Sequence, residues 1–178
     1  MNKTEICNLA LSILKSSPIN DIDAKDDIKA NLCKRWYEIK RQNLLKENNW
    51  RFAIKEINLA KNNKNNFNLP SDLIKIIKFS DKNTIQIGQE AESDADNLKI
   101  TYIFDVQDTS LFTPDFIETL SFSIAYNLSF DLIGDKSTTQ YLENQYLILL
   151  SRAKSNGNTE FPFQKKKFRS NIIANRYV

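Results

Sequence analysis

The sequence predicts a mainly α chain with a β insertion: a bundle of about four helices, a small antiparallel sheet between helices two and three, and an extended C-terminal arm. Three observations predict it. Apolar residues recur at helical spacing in four separate segments, the mark of helices with a buried face. Between about residues 50 and 106 the period falls to two, as strands require. From Asn158 onward no period persists. The expected body is therefore 1–156, with the insertion at about 50–106, and the expected arm is 157–178.

Ile6, Leu9, Ala10, Ile13 and Leu14 share one helical face, so residues 3–16 read as the first helix. Ser16-Ser17-Pro18 should end it, because a residue before proline is pushed out of helical space. Asp21, Asp23, Asp26 and Asp27 follow. The later ones suit the start of a second helix, whose free N–H groups and dipole favour carboxylates. A calcium loop would need a glycine and a closing glutamate that this stretch lacks.

The second helix, about 27–48, carries two apolar stripes. One is Ile28, Leu32, Trp36, Ile39 and Leu44; the other is Ala30, Cys33, Tyr37 and Leu44. Both sides should therefore be covered. Trp50, Phe52 and Ile54 alternate with polar or small residues, which predicts a strand over 50–59. Residues 61–66 are a polar loop. Residues 73–79, 84–88 and 98–106 read as further strands. Between the last two lies an acidic loop with Glu90, Glu92, Asp94 and Asp96. Pro114 suits the first position of helix three, with Thr113 as its cap. Gly134 suits its end, and Ser137 or Thr138 restarts the chain into helix four, which should end near Asn156-Gly157.

Composition narrows the chemistry. The chain has 178 residues, enough for one domain and an appendage. It contains no histidine, which removes the commonest general base and the commonest metal ligand. Cys7 and Cys33 fall within helical apolar patterns and read as buried thiols. Gly88, Gly134 and Gly157 are isolated, so no glycine-rich phosphate loop is present. No cofactor, metal or catalytic group is expected, and no pair of carboxylates stands out as general acid and base. No apolar run reaches membrane-spanning length, and Met1 to Glu5 lacks the build of a secretory leader.

The net charge of +3 is unevenly spread. Five of the 25 bases fall in 165–176 with no acid among them; the other 20 face all 22 acids, leaving the rest at about −2. The stretch 161–178 around these bases also holds Phe161, Phe163, Phe168, Ile172, Ile173, Tyr177 and Val178, too apolar for a solvated appendage. Ordering so short a segment costs more than its own apolar burial returns. Docking therefore needs added backbone hydrogen bonds, charge pairing or many linked copies, and the last suits a symmetric assembly.

Several short motifs, in order, carry a resemblance. They are Asn8-Leu9-Ala10-Leu11, Ile19-Asn20-Asp21-Ile22-Asp23, the run Ala30, Cys33, Tyr37, Leu44-Leu45, then Trp50-Arg51-Phe52-Ala53 and Leu69-Pro70-Ser71-Asp72. Over about residues 5–155 the chain resembles a tailed-phage head-to-tail adaptor, of the tail tubular protein A or head-completion type of short-tailed phages. The resemblance implies a structural virion protein at the head–tail junction, made in the host cytoplasm. It implies a homo-oligomeric ring, typically of twelve, beneath the portal protein and above the next tail component. DNA would pass through without specific binding, and no membrane would be involved. The arm would reach the portal; by their chemistry the contacts would be Phe161, Phe163, Lys165, Lys166, Lys167, Phe168, Arg169, Ile172, Ile173, Arg176 and Tyr177. Some of Glu90, Glu92, Asp94 and Asp96 would face the lumen or a neighbour, where carboxylates repel phosphates. The alternative reading is a nucleic-acid-binding module that uses the same basic, aromatic arm.

Overall fold

The fold is that of a computed structural model, which describes residues 1–160. Helix α1, Lys3–Ile13, opens on a capping box: the Asn2 side chain accepts from the Glu5 N–H, and the Glu5 carboxylate accepts from the Asn2 N–H. It stops short of the expected Ser16. Lys15 takes a left-handed φ of 55°, and the N–H groups of Ser16 and Lys15 turn back to the carbonyls of Leu11 and Ser12. A Schellman turn therefore ends the helix before Pro18 acts. The link that follows is held by Asn8, whose amide oxygen accepts from the Ile19 N–H and whose NH2 donates to the Ile19 carbonyl, both at 2.9 Å.

Helix α2, Ile28–Glu47, is capped by the Asp27 carboxylate, which accepts from the N–H groups of Lys29 and Ala30. One of its two apolar stripes is fully covered and the other only in part, with Leu32 and Trp36 half-buried against the core. Ala30, Cys33, Tyr37 and Leu44 are buried, together with Arg41 and Leu45. On the other stripe Ile28 is 77% exposed and Ile39 is 44% exposed. The expected strand from Trp50 is also corrected at its start: Arg51–Ala53 is a 3-10 turn. It sends the Trp50 and Phe52 rings towards the helices, where both meet Phe116 at centroid distances of 4.9 and 5.1 Å.

The expectation of a mainly α chain with one small sheet is overturned. Six strands lie between α2 and the next helix. β1 is Ile54–Leu59, β2 Phe67–Asn68, β3 Leu73–Phe79, β4 Ile85–Ile87, β5 Glu90–Glu92 and β6 Leu98–Phe104. They form two three-stranded antiparallel sheets, ordered β1-β6-β3 and β2-β5-β4. The fold is α+β. The missed strands are two and three residues long, too short for a periodic signal. In β5 the acids hid the pattern: Ala91 is the buried inner position, between two outward glutamates.

Helix α3, Pro114–Leu132, begins on the expected proline. Gly134 follows its end with φ +70°. Helix α4, Lys136–Glu160, continues past the expected end at Gly157. The remainder of the expected extended arm, 161–178, lies outside the described residues. Helix α4 is capped by Asp135, whose carboxylate accepts from the Thr138 N–H at 2.8 Å and from the Ser137 and Thr138 hydroxyls.

Packing gives three layers. α3 lies against α1, α2 and α4. The first sheet sits beneath the helices, with Ile103 of β6 fully buried in their core. Its other face meets the second sheet across a smaller core of Leu59, Phe67, Leu69, Ala91, Leu98, Ile100 and Tyr102. β6 thus feeds both cores.

One buried charge joins the layers. Arg41 has no solvent exposure. Its guanidinium donates to Glu38, to the Val106 carbonyl at 2.8 Å, and to the Asp105 carboxylate just beyond β6. Burial opposes its charge, but the two carboxylates outweigh that and raise its pKa. Burial likewise opposes the charge on Asp105 and Glu38, and the Arg41 contact overcomes it, so both are held below their ordinary values.

Arg41→Ala is expected to cost roughly 3–5 kcal/mol in denaturant unfolding, as breaking a buried ion pair does. Arg41→Met should cost less, because Asp105 and Glu38 retain a route to water. The carboxylate pKa values are depressed, so their stabilisation is full above the ordinary values of 4.5 and 3.8 and is lost as pH falls below them. Acid titration followed by circular dichroism should show this loss in the wild type and a weaker one in Arg41→Met.

Candidate functional site

The expected portal contacts, from Phe161 to Tyr177, lie outside the described residues. Their root does not. Near its end α4 is tied to the rest of the chain at three successive places. The Ala153 carbonyl accepts from the Asn48 amide at 3.3 Å. Lys154 pairs with Glu47 at 2.7 Å. The Asn156 amide donates to the Asp115 carboxylate at 3.2 Å. These are exposed contacts of modest individual strength. They hold the later turns of α4 against the end of α2 and the start of α3.

The helices also carry apolar side chains outward. Leu142, Leu149, Leu150 and Ala153 of α4 are buried, while Tyr141, Leu147 and Ile148 are exposed. Phe130 and Ile133, at the end of α3, and Ile28 and Ile39 of α2 are exposed as well. These exposed apolar side chains are spread over α2, the end of α3 and α4.

The four acids of the β region do not act as one group. Glu90 is half-buried and accepts from the amides of Asn62 at 3.2 Å and Asn66 at 3.0 Å. It anchors the polar 61–66 loop and is not free to face a lumen. Glu92, Asp94 and Asp96 are exposed. Glu92 stands opposite Ile85 in the β4–β5 ladder, and Ile85 and Ile87 are both exposed.

Other carboxylates with lowered pKa values have structural partners. Lys34 holds Asp23 down. Hydrogen bonds from Thr138 and Ser137 hold Asp135 down at the start of α4, and those from Ser110 do so for Asp108. Asp72 accepts from Lys55 at 2.8 Å and from the Tyr102 hydroxyl at 3.0 Å. Burial opposes its charge, and these two bonds lower its pKa regardless. Burial and the same contact push the Tyr102 phenol up to about 12. Each perturbed acid is explained by a cap, a turn or an ion pair. No group of three or more His, Cys, Asp or Glu among the described residues is arranged to hold a metal, and no described helix is long and apolar enough to cross a membrane.

No family model matches this chain. A search of curated proteins also finds no match.

The motifs that carry the resemblance have structural work in this fold. Asn8 fixes Ile19, the Trp50 indole donates to the Leu44 carbonyl at 2.8 Å, and Asp72 braces β6. Sequence reasoning missed Arg41. Its signal was available: a base that completes an otherwise apolar stripe, three residues after Glu38. The roles of Asn8 and Asp72 depend on distant partners and left no local trace.

Glu90→Ala is expected to speed amide hydrogen exchange across residues 62–66, while Glu92→Ala leaves those rates unchanged. Equal effects from the two variants would show that Glu90 has no special hold on the loop.

Proposed function

We propose that this chain is a structural virion protein, a head-to-tail adaptor whose copies form a ring beneath the portal and line part of the DNA channel. The observation that carries the reading is the build of α4. It is buried on one face, exposes Tyr141, Leu147 and Ile148 among polar residues on the other, and is tied down just before a segment that combines five bases with apolar and aromatic side chains. Such a helix offers one surface to neighbouring copies and delivers a sticky segment from a fixed point. The ordered motifs of the sequence support the same reading. Weak segments repeated around a ring bind strongly together, because each attachment raises the effective concentration of the next.

Glu92, Asp94 and Asp96 take the channel-facing or neighbour-facing role in this reading. Exposed carboxylates there would not hold DNA, since binding to its backbone comes from neutralising phosphates with bases.

Deleting 161–178 is expected to leave helical circular dichroism and thermal unfolding nearly unchanged while abolishing co-sedimentation with portal rings. A truncated chain that still attaches to portals would contradict the proposal. Salt-sensitive binding of the full chain to DNA, lost on deletion, together with no portal attachment, would establish the nucleic-acid-binding module instead.

A further inference from the structure

We propose that the groove between α2 and α4, floored by α3, is a binding site for a phosphate group. The groove has a volume of about 250 Å3 and is lined by Lys40, Asn43, Lys46 and Glu47 of α2, Ser123 and Tyr126 of α3, and Tyr146 of α4. That is several times the roughly 30 Å3 taken by a water molecule, so a phosphate fits with some of its hydration.

The charge is what selects an anion. Each carboxylate around the groove already has a partner. Glu47 pairs with Lys154 at 2.7 Å. Asp131 accepts from the Trp36 indole at 3.1 Å. Glu143 is hydrogen-bonded to the Tyr126 hydroxyl. Lys40 and Lys46, by contrast, make no ion pair with a described residue. Lys40 is half-buried, with its ammonium over the Trp36 ring at 5.4 Å from the centroid. Burial pulls its pKa below the ordinary value. A partly desolvated ammonium with no carboxylate is a cost to the fold that an incoming anion would remove.

The neutral groups complete the site. Ser123 is 3% exposed and is one of the residues that line the groove. The Tyr146 hydroxyl and the Asn43 amide add further donors. Two lysines and the neutral donors carried by Asn43, Ser123 and Tyr146 line one small space, a donor set that suits the oxygens of a phosphate. A free phosphate and a phosphate of a nucleic-acid backbone share this chemistry. The site does not rest on the adaptor reading.

The test is a 15N chemical-shift titration of the full chain, first with inorganic phosphate and then with a short DNA duplex. Saturable shifts confined to the amides near Lys40, Asn43, Ser123 and Tyr146 are expected. Lys40→Gln and Lys46→Gln should each weaken binding about tenfold, whereas Lys82→Gln, remote in the β4 turn, should have no effect. Lys46 is exposed, so its variant keeps the test valid if Lys40→Gln unfolds. Shifts with phosphate alone identify a free-ion site. Shifts at the same amides with the duplex identify a backbone phosphate. No groove shifts with either probe, or affinity unchanged in both groove variants, would overturn the proposal.

Discussion

The buried guanidinium of Arg41 is the constraint on which the layers of this fold depend. It lies on α2 against the end of β6 and bonds to Glu38 of its own helix, to Asp105 and to the Val106 carbonyl. Burying an arginine is unfavourable unless its donors are met and its charge is balanced. Here the Val106 carbonyl and two carboxylates do both, and Lys3 of α1 extends the chain of charges by pairing with Glu38 at 2.9 Å. The arrangement therefore reaches from the first helix to the central strand. Slipping β6 against α2 would strand a charge in the core, so the network sets register as well as attachment.

Much of the helical layer could be read from spacing alone. α3 and its starting proline follow the pattern closely, because a helix buried along most of its length shows its period openly. α2 was harder. Its exposed stripe of Ile28 and Ile39 looks the same in sequence as its buried one, and periodicity cannot say which face meets a partner. The sheets were half legible. β3 and β6 are seven residues long and strongly apolar, so they announce themselves. β2 and β5 are defined by pairing across the chain, and pairing of distant residues leaves no local mark. The Trp50 turn misled for another reason: aromatic alternation fits a strand, but packing against Phe116 outweighs that preference.

The surface features divide by layer. The α layer carries exposed apolar groups, the fixed root of α4 and the basic groove. The second sheet carries Glu92, Asp94 and Asp96 beside Ile85 and Ile87. Glu90 was legible as an acid but not as an anchor, since its two asparagine partners lie more than twenty residues away. A rigid connection between these layers would suit the adaptor role that we propose. A loose hinge would let attachment on one side go unfelt on the other.

That connection is the central claim, and native-state hydrogen exchange tests it most directly. If Arg41 locks the layers, the slowest amides of α2 around Tyr37 to Leu45 and those of β6 around Ile100 to Ile103 will open with the same free energy. An opening of β6 that comes more than about 2 kcal/mol below that of α2 would show separate cooperative units and contradict the account.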